Sequence, residues 1–338
     1  MKILFLYRYI PGYDYDNHLH MMFADAINRT EGVDLLAYGP NLHFGYPSLT
    51  PIAFNKDINI RNLHARFPFD IMVICTKSRA FEYYDPHNDK AEGMWLPSGW
   101  DTFPCPKIVL EEDYHYEKSD DWYQRHNISL ILQRHYSQSL RQDKVPMMWF
   151  PFSVDIDMFK PKHSMICRYC QRDNKEPRHN KICFAGSTNA GAYLYRNRAI
   201  EILKQEKLID SFQRREKVGY NYVECLQQYV AHLCCSSIYN LTSAKMFEIM
   251  ASGSVLLTNE NADLPLLFEA DSYVTYKNDH TDLLEKTRFI LNNPEAVERI
   301  IDKALLNIKN RHSHTVRINQ LIKIINSLTS GNIEKIVY

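Results

Sequence analysis

Lys245-Met246-Phe247-Glu248-Ile249-Met250-Ala251-Ser252-Gly253-Ser254-Val255-Leu256-Leu257-Thr258 is two elements with a stop between them. Residues 244–252 fit a helix, and Gly253 is its C-terminal stop. Residues 254–258 (SVLLT) are a short buried-type strand. Thr242 and Ser243 stand just ahead of the helix, where backbone N–H groups have no intrahelical partner. Lys245 adds a cation there, and Glu248 follows one turn later.

Working outward, the same alternation recurs on both sides. Residues 181–186 (KICFAG) form a strand ending in Gly, and 193–206 read as a helix. A helical stretch near 222–232 precedes the apolar run 233–239. From 280 the pattern is helical to about 328, with Pro294 at a helix start and Ser313 as an N-cap. Upstream, short apolar runs stand at 2–7, 34–38, 70–75, 107–110 and 128–132, with a helix near 17–29. Short apolar strands alternating with helices imply parallel sheets covered on both faces. The expected organisation is an α/β domain over 1–150 and a second over 151–338, joined near 151–162.

A chain of 338 residues fits two domains. With 45% hydrophobic and 24% charged residues, it is neither disordered nor fibrous. Lys+Arg and Asp+Glu are 40 each, so whole-chain attraction to nucleic acid or anionic membrane is not indicated. There is no run of about 18 apolar residues, so no membrane span is expected. The opening MKILFLYRYIPGYDYD reads as a first strand rather than a signal peptide. Eight cysteines without a secretion signal point to reduced thiols and a cytoplasmic location.

Three segments in order carry a resemblance: Pro151-Phe152-Ser153-Val154-Asp155 through Phe159-Lys160-Pro161; Cys183-Phe184-Ala185-Gly186-Ser187 with Arg196; and 245–258. Together they resemble the GT-B glycosyltransferases, and within them the CgeB-like group with its FEAMACGALLLTD pattern. Leu266-Leu267-Phe268, Tyr276, His314-Thr315 and Arg317 extend the likeness. The resemblance implies two Rossmann-like domains facing a cleft, the first for the acceptor and the second for a nucleotide diphosphate sugar. It implies transfer of a hexosyl or pentosyl group to an acceptor hydroxyl on a glycan, a small molecule or modified nucleic acid. No cofactor is required for that catalysis. Alternatives are a transferase acting on hydroxymethylated DNA bases and a non-catalytic nucleotide-sugar-binding or surface-assembly protein on the same fold.

The residues support that reading. Gly186-Ser187 follows a strand, where bare backbone and a hydroxyl can approach a diphosphate. Arg196, Lys245 and the helix start at Thr242-Ser243 can stabilise the departing anion. Glu248 can accept hydrogen bonds from a ribose diol, or it is simply a first-turn carboxylate favoured by the helix dipole. Many retaining members carry a second glutamate eight positions earlier. Asn240 stands there, able to hydrogen-bond but not to carry charge, so the stereochemical outcome stays open.

For acid–base work the candidates are Asp113 in Glu111-Glu112-Asp113-Tyr114-His115, then Asp16 in the loop with Asp14, His18 and His20. Asp155 and Asp157 form an acidic pair that more naturally caps a short helix than binds a cation. Cys167, Cys170, His179 and Cys183 form a ligand inventory for a structural zinc in a basic insertion, residues 162–181. A surface loop with incidental thiols is the other reading. Cys234-Cys235 reads as core.

Overall fold

The computed structural model describes residues 1–7, 14–44, 46–76, 96–111, 120–136, 144–161, 178–188, 193–213, 216–217, 219–236 and 241–330. The apolar runs of the N-terminal half become β1 (Lys2–Leu6), β2 (Asp34–Tyr38), β3 (Ile71–Thr76), β4 (Lys107–Glu111) and β5 (Leu130–Gln133). A further edge strand, β6 (Met147–Trp149), escaped the sequence reading because it is three residues long and only half-buried. All pair in parallel in the order β2-β1-β3-β4-β5-β6.

Alternate residues of each strand enter different cores. Ile3, Phe5 and Val73 pack with Met21, Ala24 and Ile27 of helix α1 (Asp14–Asn28). Leu4, Leu6, Met72 and Ile74 pack with Ile60 and Leu63 of α2 (Ile60–Arg66) and Tyr123 of α3 (Asp120–Arg125). Burial on both faces is why these strands read as unbroken apolar runs.

After the short helix α4 (Ile156–Phe159), the second sheet is built from β7 (His179–Gly186), β8 (Ile209–Gln213), β9 (Tyr229–Leu233), β10 (Val255–Asn259) and β11 (Val274–Tyr276). Its order is β11-β10-β9-β7-β8, again all parallel. Helices α5 (Leu194–Gln205), α6 (Gly219–Gln228) and α7 (Ala244–Ala251) connect these strands. Then come α8 (Leu264–Leu267), α9 (Leu283–Asn292), α10 (Pro294–Asn307), a π-helical turn Ile308–His312 and α11 (His314–Thr329). Pro294 opens α10, and the Ser313 hydroxyl accepts from the Val316 amide at 3.3 Å, as a cap does.

Two expectations change. The helix expected to reach 232 ends at Gln228, and residues 229–233 are a fully buried central strand, not the tail of a helix. Five buried residues with one histidine among them cannot be assigned by periodicity alone, and their β7 and β10 partners decide it. The second change concerns the C-terminal helix. The chain divides into Met1–Pro151 with Arg317–Tyr338, and Phe152–Val316. Ile318, Leu321, Ile324, Ile325 and Leu328 pack into the first core beside α1, so residues after 316 belong with the first unit.

The stop at Gly253 is a backbone requirement. Its φ is +69°, and a Cβ there would stand 2.6 Å from Cγ of Pro161. Arg178, expected in a basic surface insertion, is instead 6% exposed. It donates to the carbonyls of Tyr229, Ser252 and Gly253 and to Oγ of Ser254, tying the end of α7 to β9.

Candidate functional site in the second unit

In the second sheet β7 has β8 on one side and β9 on the other, so the winding reverses there. Ligands of open α/β sheets bind outside the carboxyl ends of the strands at such a switch point. Gly186 ends β7, and Ser187 follows it. Arg196 of α5 donates from Nη1 to the Ser187 carbonyl at 2.9 Å and from Nη2 to the Cys235 carbonyl at 3.4 Å. One guanidinium thus spans the ends of β7 and β9, with the Tyr193 ring 4.0 Å away.

Lys245 reaches the same place from the first turn of α7, where Nζ donates to the Ala185 carbonyl. Gly186 makes this approach possible: a Cβ would lie 2.9 Å from that Nζ and 3.1 Å from Cζ of Phe184. Ser243 is the N-cap residue of α7, but its hydroxyl makes no capping bond and lies 3.4 Å from Sγ of Cys234. Thr242 is 3% exposed, and its hydroxyl has no hydrogen-bond partner among the described residues.

Glu248 is 2% exposed and receives the Tyr222 hydroxyl of α6 on Oε2 at 2.8 Å. A buried carboxylate is retained only where donors meet it. The arrangement therefore offers two cations and a helix N-terminus for an anion, with a carboxylate one turn away for hydroxyl groups.

Gly186, Ser187, Arg196, Thr242, Ser243, Lys245 and Glu248 thus fall at the ends of β7 and β9 and on the first turns of α7. Asn240 and Asp113 lie outside the described residues. Asp16 was expected in a loop; it and His20 are on α1, because the helix starts at Asp14. Glu111 is the last residue of β4, 1% exposed, and accepts from the Tyr123 hydroxyl at 2.5 Å. Asp155 caps α4 by accepting from the amides of Asp157 and Met158. Cys234 and Cys235 are free and buried, as expected of core residues.

Of the expected zinc set, the two described members, His179 and Cys183, do not come together. Cys167 and Cys170 lie outside the described residues. His179 is at the exposed end of β7, its ring 4.8 Å from that of Tyr229. Cys183 is four residues on, beyond the irregularity in register between His179 and Ile182. It is buried with its Sγ 3.6 Å from Sγ of Cys225.

Other groupings were not found from sequence. Tyr222 gives no signal until α6 packs over Glu248. Asn259, ending β10, accepts from the Ser236 amide at 2.8 Å and donates to the Ser236 hydroxyl and to Oδ1 of Asn278, each at 2.7 Å. In the first unit, Nδ1 of His20 lies 3.1 Å from Sγ of Cys75 at the end of β3.

The two parallel sheets are those of the GT-B fold, as the solved structures that superpose on the chain show. Residues 182–323 match the family described as Glycosyl transferase-like. A glycosyltransferase from Rickettsia africae ESF-5 superposes with TM-score 0.64 at 12% identity, over 97% of this chain and 98% of that one. A sucrose-phosphate synthase from Thermosynechococcus elongatus gives TM-score 0.62 at 11% identity, covering 98% and 99%. HepE of Anabaena, solved with UDP and glucose, gives 0.59 at 11%, covering 97% and 100%. No curated protein matches the sequence. Among the described residues, no helix is long and apolar enough to cross a membrane.

Proposed function

We propose that this protein transfers a sugar from a nucleoside diphosphate sugar to an acceptor hydroxyl, with the donor nucleotide held by the second unit. The observation that carries the reading is the convergence of Arg196, Lys245 and Gly186 at the strand ends with the buried Glu248–Tyr222 pair. The diphosphate takes the backbone of Gly186-Ser187, the two cations and the start of α7. The ribose hydroxyls donate to Glu248. As the glycosidic bond to the donor breaks, negative charge grows on the departing diphosphate, and fixed cations and helix-end amides stabilise it without reorganising. A solved GT-B neighbour holds UDP and glucose, which supports a nucleotide-sugar donor. Within the fold, the pattern at 245–258 favours a CgeB-like enzyme.

The test is a calorimetric and thermal-shift titration with nucleoside diphosphates and their sugars. At 100 times Kd, ligand should stabilise the chain by about 2.7 kcal/mol. Glu248→Ala should weaken a ribonucleotide by about 10- to 150-fold, the scale of a lost hydrogen bond to a charged group. A 2′,3′-dideoxynucleotide should lose much less. Equal weakening of both ligands, or of neither, removes Glu248 from the ribose.

The acceptor belongs, in this reading, to the first unit. There Asp113, with Asp16 as second choice, deprotonates the hydroxyl. Asp113→Asn should leave nucleotide binding intact and lower turnover by about 10²-fold or more. Unchanged turnover would move the base to Asp16. Hydrolysis of the donor sugar without acceptor distinguishes an enzyme from a nucleotide-sugar-binding protein on the same fold.

A further inference from the structure

Beneath the candidate nucleotide site lies a second constellation that the proposed reaction does not use. Cys183 on β7 and His232 on β9 are direct partners in the parallel register, so both side chains leave the same face of the sheet. Helix α6 covers that face and brings Cys225 against them. All three are buried, at 0%, 1% and 1% exposure. One ligand atom from each lies within 4.8 Å of the others.

The geometry of the cluster is compatible with a shared ion. The sulfur atoms stand 3.6 Å apart, a thiol–thiol contact. Two bonds of about 2.3 Å to one tetrahedral zinc would span roughly 3.8 Å, whereas a disulfide requires about 2.05 Å. The His232 ring is sealed from solvent, and the Cys225 thiol is the polar group it faces, with no hydrogen bond of normal geometry at either ring nitrogen. A metal bond to one nitrogen would satisfy that buried imidazole more fully than a thiol contact does.

We propose that Cys183, Cys225 and His232 hold one thiophilic d10 ion, Zn²⁺ or Cu⁺, clamping α6 to β7 and β9. Both thiols lose a proton on binding, so two protons are released per ion. Two thiolates with a divalent ion are neutral overall, which suits burial; with Cu⁺ the cluster carries one negative charge. Soft sulfur ligands with imidazole select these ions over magnesium or calcium. The clamp has a structural consequence. Tyr222 lies one turn before Cys225 on α6, and Gly186 three residues after Cys183 on β7. An ion there would fix both the donor to Glu248 and the strand end.

The experiment uses the full chain, purified reduced and without added metal. It is titrated with Co²⁺ as a spectroscopic stand-in, with Zn²⁺ in competition, and separately with Cu⁺ buffered by bicinchoninate. One equivalent should bind, with a thiolate-to-cobalt charge-transfer band sized for two sulfurs and d–d bands of low coordination number that Zn²⁺ abolishes. The tighter of Zn²⁺ and Cu⁺ identifies the ion, which should also raise the melting temperature by several degrees. Cys225→Ala and His232→Gln should each weaken binding at least 100-fold, while a Cys167→Ala/Cys170→Ala double variant should leave it unchanged. Should the core variants fail to fold, the sulfur count in the unmodified chain's cobalt spectrum still decides. The proposal is overturned by no stoichiometric binding at micromolar metal, by a Cys183–Cys225 disulfide in the isolated protein, or by binding that follows Cys167 and Cys170 instead.

Discussion

At the scale of single residues, two glycines set what their neighbours can do. Gly186 leaves room for Nζ of Lys245 to lie across the strand end, and Gly253 lets the chain leave α7 with positive φ against Pro161. Gly253→Ala combines a left-handed alanine with a 2.6 Å clash against a ring carbon. It should destabilise the protein by about 2–4 kcal/mol, read as a lower urea midpoint with unchanged m-value. Glu248 shows the opposite dependence, because its residue type was legible and its environment was not. A carboxylate on the first turns of a helix could be a solvated dipole partner. At 2% exposure with Tyr222 donating to it, it is a placed acceptor.

Between elements, the consequential contact is α6 with α7. The Tyr222 hydroxyl of α6 donates to Glu248 of α7 at 2.8 Å, a hydrogen bond between the two helices. Tyr222→Phe keeps the ring and removes the donor. We expect a loss of about 1.5–3 kcal/mol in stability, the worth of a hydrogen bond to a charged group. Ribonucleotide affinity should fall less than in Glu248→Ala, since the carboxylate is still present. Circular dichroism melts and calorimetry on the two variants separate these effects. The same layer explains Arg178: three acceptors between α7 and β10 and a fourth at the start of β9 converge on it, which no count of local charge could have shown.

For the molecule as a whole, the chain returns to the unit it started from. Ile318, Leu321, Ile324, Ile325 and Leu328 of α11 are buried in the core that α1 and the first sheet build. Burying each such side chain is worth about 1.5–3 kcal/mol, while a domain's total stability is about 5–15 kcal/mol. A chain truncated after Val316 should therefore lose most of the first unit's stability. Limited proteolysis with mass spectrometry should show cleavage within residues 1–151 and a surviving fragment over 152–316. Equal protection of both units would show that α11 contributes little to that core.

The order of residues alone made legible the alternation of buried strands and helices, the stop at Gly253, the caps at Asp155, Pro294 and Ser313, and the row Gly186, Ser187, Lys245 and Glu248. These are local signals: apolar runs, a helix-ending glycine, and polar groups placed just past strands. Tertiary structure alone decided what depends on distant partners. Residues 229–233 became a strand because β7 and β10 flank them. Residues after 316 joined the first unit because their apolar face fits its core. Cys183 met Cys225 and His232, rather than His179 on its own strand, because parallel register and the packing of α6 bring together side chains far apart in sequence while strand extension separates near ones.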